Sequence, residues 1–386
     1  MMQPVFFVLL AGLLGGRIAD IPVLGVRISL LDCSVVAVLL VALFRQKKRF
    51  IPRLWGPVLG YAFGTLLSVL VNTGTVPLVW SGVGVLYVIR FLLYAALYWV
   101  AASDTFEVGS LLTPLVWSGV GIAALGFIQL VLYPNLRNLY YLGWDPHVGR
   151  LFSTLLDPNF TGIYLALTAL LLLYGWGEKK HMLSRLGFVV VSVALLFTYS
   201  RSSIAAYGAG LLVWGMLTGR KKLIGVLLIL AVAGLVLLPR GSEGQNILRS
   251  TSSMARLGTA ASGIEIFLAR PVLGTGMNTL LMKHADTAPI PSRTGTGIDT
   301  SLIAVAAADG LLGLFFIVWF LVACVFLGKT GLAKSTRLRE ESALYLAALS
   351  AIFVHSLFVN SLLYPWVLVW LFVGTGVIER RIRADR

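Results

Sequence analysis

The sequence predicts an all-α polytopic membrane protein of about twelve transmembrane helices, with one large extracytoplasmic loop that contains short helices. Three observations carry this. Of 386 residues, 58% are hydrophobic and only 12% charged, against about 25% charged in an ordinary soluble domain. Mean hydropathy is +0.90, and apolar runs approaching the ~20 residues of a spanning helix recur from end to end. The alternating segments of about ten residues that mark a membrane β-barrel are absent.

In chain order, the spans are expected at 4–16, 23–44, 54–71, 79–101, 110–133, 160–175, 186–200, 203–219, 222–238, 299–328, 341–358 and 362–379. The first is short for a bilayer of about 30 Å, and the tenth is long enough to tilt. No basic residue precedes the first run, which reads as an uncleaved span, with a short signal-peptide h-region as the competing reading. Three regions follow: spans one to nine over 1–237, a large outer loop over 238–298, and three more spans with a basic tail over 299–386.

Charge supports the order. With the N-terminus inside, the inner loops "RQKKRFIPR", "EKKHMLSR", "GRKK" and "GKTGLAKSTRLREE" and the tail "ERRIRADR" hold 19 of the 31 Lys and Arg, and the outer segments hold 10. Short cytoplasmic loops dense in Lys and Arg are what the positive-inside rule requires. The inner loop "SDTFEVG" carries none. The net charge of +15 therefore reads as topology plus attraction to anionic lipid, and not as nucleic-acid binding. Cys33 and Cys324 lie in apolar runs, so no disulfide is expected. No metal-ligand spacing, Walker motif or dinucleotide fingerprint is present, and no metal or cofactor is expected. No internal repeat is evident, which weakens a transporter reading.

The large loop has a helical period from Ile247 to Arg270. Met254, Leu257, Ala261, Ile264 and Leu268 form an apolar stripe. Arg249, Arg256 and Arg270, seven and fourteen residues apart, form a second stripe that drifts by only about 20° per heptad. Pro271 ends the helix. In "LGTGMN", Gly274 and Gly276 accept positive φ and can bring backbone N–H groups to an anion. The plainer alternative is that the arginines meet lipid headgroups and the glycines only end a helix.

Elsewhere, "FTYSRSSIAAYG" sets Arg201 at the outer end of the seventh span, where it snorkels to a headgroup or holds a phosphate. Arg90 lies mid-span and needs a partner or a wet cavity. Arg27 lies nearer the outer end of its span, with Asp32 or Asp20 as partner. "GRLFSTLLDPNF" brings Arg150, Asp157 and Asn159 to the start of the sixth span, where Asp-Pro-Asn is also a helix-start signal.

These segments resemble the O-antigen ligase/polymerase superfamily. "GRLFSTLLDPNF" is similar to its R-x-x-G-T-F-x-N-P-N segment, and "FTYSRSSIAAY" to its T-x-S-R turn. "MARLGTAASGIEIFLARPVLGTGMNT" resembles its loop element ending P-L-x-G-x-G. "DTSLIAVAAADGLLGL" resembles its H-N…E-x-G-L-x-G-L segment, and "VHSLFVNSLLYPWVLVWLFVG" its closing spans. The likeness runs in order from Arg150 to Gly374.

The charge order puts both termini in the cytoplasm, and the resemblance implies a metal-independent glycosyltransferase of the bacterial inner membrane. It implies transfer of an oligosaccharide from a polyprenyl diphosphate carrier to a sugar or lipid-linked acceptor at the outer face. Arg201 and Arg256 would hold the diphosphate, with Arg150 and Arg270 as second candidates. Asp299 stands where the family has a loop histidine, and Thr300 where it has asparagine; the carboxylate can act as base, and His284 is the alternative. These departures lean toward a polymerase-like member. The tryptophan of the family's loop helix is absent. His355 reads as a mid-span, hydrogen-bonded packing residue. A flippase of lipid-linked saccharides is the competing function.

Overall fold

The computed structural model describes residues 4–23, 26–46, 50–75, 77–137, 139, 147–175, 182–238, 241, 245–246, 251–279 and 297–385. Thirteen α-helices carry these residues: α1 (Pro4–Gly15), α2 (Leu30–Arg45), α3 (Trp55–Val71), α4 (Leu78–Ala102), α5 (Val108–Leu132), α6 (Pro158–Gly175), α7 (Met182–Phe197), α8 (Arg201–Thr218), α9 (Lys221–Leu237), α10 (Thr251–Ala269), α11 (Ser301–Leu332), α12 (Thr336–Ser356) and α13 (Pro365–Ala384). Each expected apolar run lands on one helix, and α10 is the helix expected in the large loop. By length and composition α4, α5 and α11 are long and apolar enough to cross a membrane. Pro4–Gly15, Trp55–Val71, Pro158–Tyr174 and Met182–Phe197 are shorter apolar helices.

Burial separates inner from outer helices. In α13, Val367, Val369, Phe372 and Val373 are all 1% exposed or less, and in α6 the run Ile163–Leu167 is equally buried. A helix apolar all round belongs in the middle of a bundle. α13 packs on α4, α12 on α8, α11 on α3, and α6 on α7 and α8. Large apolar side chains such as Phe44, Val131 and Leu237 stand exposed on the outside, as suits a surface whose surroundings are lipid.

Two expectations are corrected. The second span does not begin at residue 23. Ile21–Val23 and Val26–Ile28 form an antiparallel hairpin, β1 and β2, with Ile21 opposite Ile28. The helix starts only after Ser29, whose side chain accepts the N–H of Asp32 while the Asp32 carboxylate accepts the Ser29 N–H, a reciprocal cap. Arg27 is therefore on a strand, ahead of α2 and not within it. The tenth span is also not one continuous helix: α11 breaks at Gly310, where φ is 65° and ψ is −163°.

The bundle has two polar ends. At one, the basic loops meet: Arg380 and Arg383 both pair with Asp104, Arg220 with Glu340, Arg381 and Arg337 with Glu341, and Lys334 with Asp385. At the other lie the hairpin, the starts of α6, α8 and α11, the end of α12 and α10.

Candidate functional site

The turn between α7 and α8 sets Arg201. Tyr199 is held at φ 50°, a left-handed value rare for a bulky residue. Ser200 then caps α8 by accepting the N–H of Ser203. Arg201 thus begins α8, half-buried, at the positive end of the helix dipole. Buried hydroxyls brace this turn. Ser200 Oγ donates to Asn159 Oδ1 at 3.0 Å, and Ser203 Oγ donates to the Asn159 carbonyl at 3.0 Å. Ser203 also bonds His355 Nε2 at 3.2 Å, and His355 Nδ1 bonds Ser361 Oγ at 2.7 Å. His355 is fully buried and lies in the last turn of α12, not mid-helix. It packs by hydrogen bonds as expected.

Arg256 reaches the same region from the loop. The inward face of α10 reads Arg256, Thr259, Gly263 and Ile266, and Ile266 packs with Ile298 and Ile303 against α11. The apolar stripe inferred from the sequence faces outward instead: Met254, Leu257, Ile264 and Leu268 are exposed. Arg256 lies close enough to Arg201 for the two cations to repel. Burial first, and then Arg201, lower the Arg256 pKa, while Asp299 and Asp157 oppose the shift. Arg256 makes no direct ion pair among the described residues.

Asp299 sits two residues before α11, half-buried, and accepts a hydrogen bond from Thr259 Oγ1 at 3.2 Å. It therefore stands beside the helical turn that carries Arg256. Burial raises its pKa, Asp157 adds to the rise, and Arg256 and Thr259 hold it down. A carboxylate with a raised pKa is a stronger base than one in water.

Asp157 takes its expected capping role. Its Oδ1 accepts the N–H of Asn159 at 2.6 Å and of Phe160 at 3.4 Å. Leu156 before it is left-handed, at φ 56°. The carboxylate also belongs to the electrostatic cluster: burial raises its pKa, while the Asn159 N–H and Arg150 lower it. Arg150, only 4% exposed, donates through Nε to the Thr198 carbonyl at 2.9 Å. It clamps the turn that presents Arg201.

Other candidates lie elsewhere. Arg270, exposed, donates to Asn72 Oδ1 and to Thr75 Oγ1 at the end of α3. The stripe it shares with Arg256 ends with the helix at Ala269. Gly274 and Gly276 do have positive φ, 63° and 94°, but the turn's N–H groups are not a ligand nest. Those of Thr275 and Gly276 donate to the carbonyls of Ala307 and Ala308, at 3.1 and 2.8 Å, and that of Gly274 to Arg270. In return, Leu311 and Leu312 N–H donate to Pro271 and Val272 carbonyls. The turn thus repairs the ladder that α11 loses at Gly310. A Cβ on Gly274 would collide with Ala308 backbone, and one on Gly310 with Val272 backbone.

Arg90 has its partner. Its Nε and Nη2 reach Asp32 Oδ1 and Oδ2 at 2.8 and 2.6 Å, and Tyr94 donates to the same carboxylate. Asp32 thus serves Arg90, and Asp20 serves Arg17 at 3.0 Å; neither is in an ion pair with Arg27. His284 and Arg249 lie outside the described residues.

The sequence reading missed Arg17. It follows the first span, is partly buried, and acts electrostatically on both Tyr364 and Asp157. Tyr364 in turn stacks on Phe160 with centroids 3.9 Å apart. The only local signal was an arginine directly behind two glycines.

Arg201, Arg256, Asp157 and Asp299 thus form one electrostatically coupled cluster, with Arg150 and the buried hydroxyls beside it. Such an arrangement can bind a polyanion bidentately and take a proton nearby. Residues 186–318 match the family model described as O-Antigen ligase. The resemblance to the O-antigen ligase/polymerase superfamily is therefore shown. The matched segment contains Arg201, Arg256, Arg270, Asp299 and the Gly310 break. At family level it supports an O-antigen ligase/polymerase-like membrane glycosyltransferase. No curated protein matches the chain.

Proposed function

We propose that the protein transfers an oligosaccharide from a polyprenyl diphosphate carrier to a sugar acceptor at the outer face of the bacterial inner membrane. About twelve helices span the bilayer, both termini are cytoplasmic, and the arginine basin faces outward under the large loop. One observation carries the reading: Arg256, half-buried, feels Arg201 and Asp299 and is in no ion pair among the described residues. Two like charges held together are relieved when an anion enters.

Arg201 and Arg256 bind the diphosphate. The acceptor hydroxyl attacks the anomeric carbon while Asp299 takes its proton. The bond from that carbon to the diphosphate oxygen breaks, and its electron pair leaves with the diphosphate, whose growing charge the two guanidiniums stabilise. Asp157, under the field of Arg17, borders this cluster. Asp299 as base in place of histidine favours a polymerase-like reaction, with another lipid-linked saccharide as acceptor. His284 is the second candidate base.

Purified protein in liposomes with a lipid diphosphate oligosaccharide is expected to yield a longer glycan, and Arg201→Ala or Arg256→Ala to leave the donor intact. Movement of intact donor across the bilayer without product would identify a flippase and overturn the proposal.

A further inference from the structure

One flank of α10 is uncovered. Arg256, Thr259, Gly263 and Ile266 face the protein. The helical turn puts Met254, Leu257, Ile264 and Leu268 on the other side, and all four are exposed. Val272, just past the helix, is 64% exposed and prolongs the stripe. Ser262 and Glu265 are exposed along its edge. An amphipathic helix whose apolar flank faces away from its own protein needs another apolar phase to meet it.

The position of the flank names that phase. The Leu311 N–H donates to the Pro271 carbonyl at 2.7 Å, and the Leu312 N–H to the Val272 carbonyl at 3.3 Å. These bonds bring Val272 next to Leu311, which is exposed, and Phe315 and Val318 continue the exposed strip along α11. α11 is long and apolar enough to cross a membrane, so its outward side chains meet hydrocarbon. The stripe of α10 carries the same surface onward.

Depth agrees. From Gly310 to Lys329, in the last turn of α11, the helix rises about 28 Å, nearly the ~30 Å of a hydrocarbon core. From Arg337 to Ser356, α12 also rises about 28 Å. The residues just past α12 hold the start of α11: Thr300 Oγ1 donates to the Leu357 carbonyl and Ser301 Oγ to the Val359 carbonyl, each at 3.1 Å. Both ends of the stretch from Ser301 to Gly310 thus sit near the outer boundary, and that stretch runs along it. α10 runs with it, packed through Gly263 and Ile266 against Ile298 and Ile303.

We propose that the apolar stripe of α10 beds in the outer leaflet, between headgroups and hydrocarbon, so that the membrane itself covers the helix that carries Arg256. A second copy or another protein would have to match a strip that passes unbroken from the boundary onto a hydrocarbon-facing helix. A lipid surface matches it by being continuous. This seating is independent of the transfer reaction.

Nitroxide labels on single cysteines test it, in liposomes and in a Cys33→Ser background, Cys324 being buried. Collision of each label with lipid-soluble oxygen and with a water-soluble nickel chelate is read by power-saturation EPR. Leu257→Cys, Ile264→Cys and Leu268→Cys are expected to prefer oxygen, as does Phe315→Cys on α11. Ala255→Cys and Ser262→Cys are expected to prefer nickel, so that the ratio oscillates with the ~3.6-residue helical period. All five α10 sites are exposed, so the labels spare the packing, and the loss of one variant leaves the oscillation readable from the others. Nickel preference at the stripe equal to that at Ser262→Cys overturns the proposal. So does shielding of the stripe from both reagents, which would mean that a second copy or another protein covers it.

Discussion

At the basic end, Arg383 lies 4.2 Å over the Phe50 ring, donates to the Ala102 carbonyl and shares Asp104 with Arg380. Arg220 pairs with Glu340 at 2.7 Å and stacks over Trp214. At the opposite end, Arg256 is close to Arg201 and to two carboxylates but is in no ion pair among the described residues. The residue type is the same and the chemistry is not. A guanidinium whose charge is met inside the protein fastens loops together. One held among a second cation and two carboxylates, with no contact ion pair among the described residues, keeps its donors open to an incoming anion. Net charge alone does not distinguish the two, whereas the pattern of partners does.

The comparison can be broken most directly at Asp299. Asp299→Asn is expected to slow transfer by about 10²–10⁴, the usual worth of a general base. The pH profile carries the sign. Burial raises the Asp299 pKa, so the wild-type rate should climb with pH at a midpoint above the ordinary carboxylate value of about 4. Arg256→Gln removes the opposing cation and should move that midpoint higher. A profile unchanged in Asp299→Asn would pass the role to His284.

Next in size is the contrast between arginines. Arg256→Gln is expected to lower kcat/KM by about 10²–10³, as losing one charge-stabilising donor does. Arg383→Gln should stay within about twofold, because exposed pairs contribute little. Equal losses would erase the distinction between the ends.

Asp32→Ala tests whether Arg90 belongs with the paired class. It strands a partly buried guanidinium and should destabilise the protein by about 3–5 kcal/mol in graded denaturant, while Asp32→Ala/Arg90→Ala should cost less. A double variant as unstable as the single would show that Asp32 is not what balances Arg90. The smallest effect is expected for Arg220 and Glu340, whose side chains are 33% and 37% exposed. A double-mutant cycle there should give no more than about 1 kcal/mol of coupling.

Helix content was legible because the other helices lie on long, mostly apolar runs, and α10 because its period is 3.6. Arg201 and Arg256 were legible as candidates from spacing, and Asp299 only through the family resemblance. Partners were not. Asp32 and Asp20 were the two partners considered for Arg27, yet Asp32 serves Arg90, 58 residues away, and Asp20 serves Arg17. Arg17 and Tyr364 are brought together by the whole bundle. The glycines at 274 and 276 announced positive φ, but the destination of the N–H groups beside them depends on a break in α11 that composition does not reveal.

That break has a practical consequence. Four backbone hydrogen bonds tie residues 271–276 to 307–312, so the second half of the loop is a missing piece of α11 as much as a cover. Chimeras that graft a relative's loop between α9 and α11 will inherit an unmated helix unless both stretches travel together. The natural unit of exchange therefore runs from α10 through Leu312, and a fragment cut at residue 298 severs a single structural joint.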